Sequence, residues 1–110
     1  MSVSNMEQIF NEARLAAKAA GESSHEQIQD RDCCGFAWCE IRPARGPFVK
    51  WLKTRNIGSS GVYGGWRISR YAVWPEFCGQ SLTTAESAMS AFADVLQNYG
   101  INAIMNSRID

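Results

Sequence analysis

The feature that most constrains the fold of this chain is a nearly unbroken apolar run that begins at Cys33 and ends at Ile41. A strand that is apolar at almost every position is typical of the centre of a sheet that is covered on both faces. Pro43 and Gly46 follow the run and end it, since both residues interrupt regular structure. We therefore expect a central strand over residues 33–41.

A short helix is predicted directly after this strand. Proline is well tolerated at the first helical position, which favours a start at Pro47. The apolar residues that recur at the i, i+3 and i+4 spacing of one helix face are Phe48, Trp51 and Leu52. That face is expected to be buried. The cations that lie off this stripe and are expected to be exposed are Lys50, Lys53 and Arg55.

The segment after the loop 58–61 predicts a strand within residues 62–74. A hairpin turn is expected at Gly64-Gly65, because glycine accepts the positive φ of tight turns. From Trp66 onward the sequence alternates, but neither face of the alternation is cleanly apolar, so the buried face stays open. No Lys-Ser or Lys-Thr pair follows the glycines, which favours a turn over a phosphate-binding loop.

The last helix has the clearest signals. Thr83-Thr84-Ala85-Glu86 has the form of a capping box, and Gly100 is placed to end the helix in the left-handed conformation. The predicted buried stripe is Ala85, Met89, Phe92 and Leu96. A short strand is expected over 101–105.

An N-terminal helix is predicted over residues 5–20, because alanine recurs there at helical spacing. Gly21 is expected to end it, and the polar residues 21–31 are expected to form a linker. The predicted organisation is an N-terminal helix and linker over 1–31, followed by a single α+β domain over 32–110.

The order of the predicted elements is helix, then strand, helix, strand or hairpin, helix and strand. This order is typical of the ferredoxin-like, split β-α-β arrangement, a small antiparallel sheet with two helices on one face. Here an extra N-terminal helix is added. The opposite face of the sheet is expected to be open to a ligand, a second subunit or the N-terminal helix. A chain of 110 residues fits one such domain.

Charge is arranged in three blocks, although the net charge is zero. Residues 31–70 carry eight basic and two acidic residues, a surplus of six, whereas 1–30 and 71–110 each carry a deficit of three. Aromatic residues are interleaved with these cations, which favours an anionic partner, such as an acidic protein or nucleic acid. Pairing within the chain and self-association as a homodimer are alternatives. The candidate binding surface is Arg42, Arg45, Lys50, Lys53, Arg55, Trp66, Arg67, Arg70 and Tyr71.

Patterns for catalysis or metal binding are weak. The four cysteines and the lone His25 lack the spacing of a zinc site, so the cysteines are expected to be small buried groups in a reducing compartment. These cysteines are Cys33, Cys34, Cys39 and Cys78. A cysteine nucleophile would need a histidine base, and the only histidine lies in the polar segment. We therefore expect no cofactor and no metal, and an enzyme of unknown chemistry is the least favoured class.

Several short motifs resemble a group of small uncharacterised proteins encoded by tailed bacteriophages and prophages, over about residues 32–110. The motifs are residues 40–50 (EIRPARGPFVK), Gly64-Gly65-Trp66, Gln80-Ser81, residues 91–96 (AFADVL), residues 100–103 (GINA) and Ser107-Arg108. The resemblance implies a phage or prophage origin and a life in the bacterial cytoplasm, and it brings no known activity.

The expected function is a non-catalytic interaction protein that binds a host or phage protein. A nucleic-acid-binding module that uses the basic helix is the alternative. No apolar run approaches 18 residues, so no membrane span is predicted.

Overall fold

The structure is a computed structural model that describes residues 3–29, 31–61, 64–77 and 79–109. Its elements are α1 (Val3–Ile28), β1 (Gly35–Ile41), α2 (Pro47–Thr54), β2 (Ser59–Ser60), β3 (Trp66–Ser69), α3 (Arg70–Val73), α4 (Leu82–Asn98) and β4 (Ala103–Ile109). The four strands form one antiparallel sheet in the order β2-β3-β1-β4. The predicted α+β class is therefore confirmed. The predictions that concern residues 62 and 63 and Cys78 lie outside the described residues.

Strand β1 lies at the centre of the sheet, between β3 and β4, as predicted. It begins at Gly35, and Cys33 and Cys34 before it are exposed. On one face Ala37, Cys39 and Ile41 are buried, whereas Phe36 and Trp38 on the other face are only half-buried. The expectation of a strand covered on both faces is therefore wrong, because α4 packs against one face, and Phe36 and Trp38 on the other remain partly exposed.

Helix α4 packs against β1 and β4, and the predicted stripe of Ala85, Met89, Phe92 and Leu96 is buried. Helix α1 packs against α4 and α2. The ring of Phe10 lies 5.8 Å from that of Phe92 and 5.6 Å from that of Trp51, measured between centroids. The N-terminal helix therefore forms an outer layer over the other helices, and it does not cover the open face of the sheet.

Helix α1 continues through Gly21 to Ile28, so the predicted linker is helical instead. A Cβ at position 21 would overlap the ring of Trp74. Glycine at this position lets the helix approach the Trp74 ring closely. The absence of a side chain at Gly21 allows α1 to pack closely against Trp74. This packing outweighs the usual tendency of glycine to end a helix.

The hairpin is formed by β2 and β3, with Ser60 opposite Trp66. The N–H of Gly61 donates to the carbonyl of Gly65 at 2.6 Å, and Gly64 has a φ of 87°. These observations confirm a glycine turn at Gly64, but the first strand of the hairpin is Ser59–Ser60, which lies within the loop predicted over 58–61. The predicted strand, however, stops at Ser69, whose hydroxyl accepts from the N–H of Ala72 at 3.3 Å and caps α3.

Helix α4 begins at Leu82, and its cap is the hydroxyl of Ser81, which accepts from the N–H of Thr84 at 3.1 Å. The capping box predicted at Thr83 is therefore wrong. The carboxylate of Glu86 accepts from the hydroxyl of Ser107 in β4 instead. Gly100 has the predicted left-handed conformation, with a φ of 80°. The final strand is Ala103–Ile109 and is longer than expected.

Candidate binding surface on the open face of the sheet

The face of the sheet that points away from the helices carries alternate residues of β1 and their partners on β3 and β4. Strand register places Arg67 and Ile104 beside Glu40, and Arg108 beside Phe36. Because paired residues share a face, these side chains form one surface. We define the sheet-face surface as Phe36, Trp38, Glu40, Arg67, Ile104 and Arg108.

Two arginines lie over two aromatic rings on this surface. The guanidinium carbon of Arg67 is 4.5 Å from the centroid of the Trp38 ring, and that of Arg108 is 5.3 Å from the centroid of Phe36. Each such cation–π contact contributes about 0.5–1 kcal/mol at an exposed site. The rings therefore hold two planar cations against the sheet, where they remain partly open to solvent.

Glu40 is the only carboxylate among these six residues, and its side chain is 2% exposed. It accepts from the Nε of Arg67 at 3.4 Å and pairs with the guanidinium of Arg42. Gly65 makes room for it, since a Cβ at that position would lie 2.7 Å from Cγ of Glu40. The negative charge is thus compensated by two arginines, and the surface as a whole is cationic.

A cleft of about 400 Å³ opens at one side of the sheet-face surface. It is lined by Trp38, Arg67 and Tyr71, and by the small polar residues Ser59 and Ser69. Tyr71 is 54% exposed, and the guanidinium carbon of Arg70 lies 4.0 Å from the centroid of its ring. The cleft therefore has aromatic walls, one cation and hydroxyl groups, and its volume lies within the range of small-molecule sites.

Several residues of the acidic blocks lie on the helices, away from the sheet-face surface. Glu7, Glu12, Glu22 and Glu26 are exposed on α1, which lies over the helix layer. Asp94 is exposed on α4. The exposed glutamates of α1 therefore lie on the helix side, where Lys18 of α1 and the cations of α2 are also exposed, whereas Arg67 and Arg108 lie on the sheet.

The predicted cations of the basic helix are exposed, but they lie apart from the sheet-face surface. Lys50, Lys53 and Arg55 belong to α2 or to its C-terminal end, and α2 packs in the helix layer. Nζ of Lys53 is 5.2 Å from the Trp66 ring centroid, and Arg55 lies 3.6 Å from the carboxylate of Glu7.

Trp66 and Arg70 make contacts within the fold and do not lie on the open face of the sheet. Trp66 is a register partner of the buried Ile41, and its indole N–H donates to the carbonyl of Ile57 at 3.0 Å. Arg70 is 4% exposed and donates to the carbonyls of Trp74 and Phe77 at 3.0 and 2.8 Å. Because α3 begins at Arg70, this residue does not continue the strand that carries Arg67.

Of the nine candidate residues, the structure brings Arg42 and Arg67 together at Glu40 and places Tyr71 at the cleft. Arg45 is exposed in the turn before α2. Phe36, Trp38 and Arg108 are not among the candidate residues that the sequence predicts. The alternation of Phe36, Trp38 and Glu40 along β1 was the available signal, and it was hidden by the equally apolar residues between them.

The cysteines differ in environment. Cys33 and Cys34 are exposed, so the expectation that they are buried is wrong, whereas Cys39 is buried. Burial raises the pKa of the Cys39 thiol to about 12, with the charge of Glu40 as the lesser cause. In the described part of the chain, no three His, Cys, Asp or Glu residues are grouped in a way that would hold a metal ion. Nor does any described helix have the length and apolar character needed to cross a membrane.

Comparisons of the chain with protein-family models, with curated proteins and with solved structures each find no match.

Proposed function

We propose that this chain is a small, non-catalytic binding protein of phage type, and that its sheet-face surface binds an anionic macromolecule in the cytoplasm of a bacterial host. The observation that carries the proposal is the pair of cation–π contacts, of Arg67 with Trp38 and of Arg108 with Phe36, beside a carboxylate that is already paired. Planar cations on aromatic rings recognise carboxylates and phosphates through several hydrogen bonds at once.

The charge of the sheet-face surface supports the same function. An anionic partner is attracted by the arginines of the sheet, and the exposed glutamates of α1 lie away from them. The host or phage protein expected from the sequence would, on this surface, present an acidic segment. Nucleic acid is the second candidate, favoured by the flat guanidinium groups.

The proposal is tested by capture from a bacterial lysate with the immobilised protein and two charge-matched variants. Arg67→Gln with Arg108→Gln removes two positive charges from the sheet, and Lys50→Gln with Lys53→Gln removes two from α2. We expect the bound material to be lost with the first variant and retained with the second. Loss with the α2 variant alone would contradict the proposal.

We also propose that the sheet is a variant of the ferredoxin-like, split β-α-β arrangement. The strand order β2-β3-β1-β4 supports this proposal, since β3 lies between β1 and β2, which α2 joins. An experimental structure in which β3 does not separate these two strands would contradict it.

A two-fold homodimer is a further proposal, and strand β4 favours it. This seven-residue strand forms one edge of the sheet, and Ile104 and Ile109 on it are 46% and 69% exposed. Unpaired backbone groups at such an edge are a template for pairing with a second chain. Light scattering should then give twice the chain mass of 12.2 kDa, and a single monomeric species at all concentrations would contradict the dimer.

A further inference from the structure

We propose that the ligand of the sheet-face surface is single-stranded nucleic acid, and that the cleft between Trp38, Arg67 and Tyr71 receives one of its bases. This inference rests on the proposed function and names its ligand class. It also locates the nucleic-acid site on the sheet, in contrast to the basic helix expected from the sequence.

The spacing of the two stacks suits an extended strand. Phe36 and Trp38 are two residues apart on β1, so their side chains are about 7 Å apart along the strand. Each ring carries a guanidinium plane, and such planes stack on nucleobases as aromatic side chains do. Only unpaired bases expose their faces for such stacking, whereas a duplex keeps its bases stacked inside.

The cleft distinguishes nucleic acid from an acidic protein. A base has two flat faces and a polar edge, and the cleft has a tyrosine ring, a stacked cation and the hydroxyl groups of Ser59 and Ser69. A segment of aspartate and glutamate would pair with Arg67 and Arg108, but it has no flat ring to fill the aromatic cleft. The cleft is therefore better matched to a base than to a carboxylate side chain.

The charges define how binding should respond to salt. The sheet-face surface includes Arg67 and Arg108, and Arg42 lies beside its carboxylate, that of Glu40, which is buried and paired. If each arginine neutralises one phosphate, the logarithm of the binding constant should fall with the logarithm of salt concentration with a slope of about −2, at about −0.7 per phosphate.

The test measures fluorescence anisotropy of labelled probes at about 50 mM salt, where phosphate contacts are strong. The probes are oligouridylate and oligothymidylate of about 12 nucleotides, a duplex of the same length and poly-glutamate. We expect a single-stranded probe to bind at least about tenfold more tightly than the duplex. We expect Tyr71→Ala to weaken this binding about tenfold and Tyr71→Phe to preserve it, because the ring is retained.

Two further variants locate the site. Arg67→Gln with Arg108→Gln should weaken binding and bring the salt slope to about −0.7, a loss of about 0.7 per arginine. Lys50→Gln with Lys53→Gln should leave the binding affinity and the salt slope unchanged. Circular dichroism and urea unfolding establish that each variant is folded, and the arginine pair provides the test if the Tyr71 variants are unstable.

The outcomes separate the two proposals. Binding of poly-glutamate without binding of either oligonucleotide would overturn the nucleic-acid inference and leave an acidic protein as the partner. Equal binding of duplex and single strand, with no effect of Tyr71→Ala, would overturn the stacking inference while an anionic ligand stands. Failure of the wild-type protein to bind every one of these polyanions would overturn both the inference and the proposed function.

Discussion

Arg67 and Glu40 lie opposite each other on the two central strands, and the Nε of Arg67 is 3.4 Å from the Oε1 of Glu40. The carboxylate is almost completely buried, whereas the arginine side chain is 35% exposed. The same arginine stacks on Trp38. Glu40 therefore holds a cation in place over an aromatic ring without presenting its own negative charge at the surface.

Replacing Glu40 by glutamine tests this arrangement. The amide has nearly the same shape but accepts weaker hydrogen bonds from Arg42 and Arg67, and it leaves both cations without a counter-charge. We expect the free energy of unfolding in urea to fall by about 1–3 kcal/mol. Asp94→Asn removes one negative charge from the exposed surface of α4. This substitution should change the free energy of unfolding by about 0.5 kcal/mol or less. Equal effects of the two substitutions would show that the buried pair does not stabilise the sheet.

Gly21→Ala is expected to destabilise the protein, although alanine is the better helix former by about 1 kcal/mol. The added methyl group would overlap the ring of Trp74, and such overpacking typically costs about 1–3 kcal/mol. Ser23→Ala, at an exposed position of the same helix, should be neutral or slightly stabilising. Urea unfolding measures both.

A smaller side chain at position 74 supplies the control for this prediction. In a Trp74→Leu background the overlap is relieved, so Gly21→Ala should no longer destabilise, and the two substitutions should be strongly non-additive. Additive effects would mean that Gly21 and Trp74 are not in contact.

Asp32 is expected to give α4 a stability that depends on pH. Its carboxylate accepts from the hydroxyl of Ser81 at 2.6 Å and from the N–H of Thr83 at 2.7 Å. These hydrogen bonds, that of Ser81 first, lower the pKa of Asp32 from 3.8 to about 2. Because the pKa is lower in the folded state, the stabilisation is complete above about pH 4 and is lost as the pH falls through about 2.

Thermal unfolding of the wild-type protein and of Asp32→Asn measures this dependence. The variant should unfold at a lower temperature near pH 7, and the gap between the two proteins should close between about pH 4 and pH 2. A gap that is the same at all pH values would indicate that the charge of Asp32 does not contribute.

The cysteines should differ in reactivity, because the thiolate is the nucleophile. Cys33 and Cys34 are exposed, whereas Cys39 is buried and its pKa is raised to about 12. We expect iodoacetamide at about pH 8 to modify the first two in the native protein, and Cys39 only after unfolding. Tandem mass spectrometry of the peptide that contains all three locates the label. Equally rapid labelling of Cys39 in the native protein would contradict its burial.

The elements predicted correctly are those that local periodicity specifies. Helix α2 starts at Pro47 and the stripe of α4 is buried, because both patterns repeat within a few residues. The central position of β1 followed from its apolar run. The errors arose where a residue distant in the sequence decides the structure. Gly21 packs against Trp74, so α1 continues past this glycine, and Asp32 together with Ser81 sets the start of α4.

The candidate site was only partly predictable for the same reason. The exposure of Lys50 and Lys53 follows from the period of one helix. The stack of Arg67 on Trp38 joins residues far apart in the chain, and its formation depends on the register between β1 and β3. The burial of Arg70 likewise depends on carbonyl groups beyond α3, which no local pattern indicates.

The central claim, that the open face of the sheet is the binding surface, is tested most directly by nuclear magnetic resonance. The protein has four tryptophans, of which Trp38 lies on the sheet-face surface, while Trp51, Trp66 and Trp74 belong to or pack against the core on the helix side. Protein labelled with nitrogen-15 is titrated with oligothymidylate or oligouridylate of about 12 nucleotides. We predict that the indole signal of Trp38 and the amide signals of Phe36 and Arg67 shift together as the oligonucleotide binds. Shifts confined to α2, with the indole signal of Trp38 unchanged, would contradict the account.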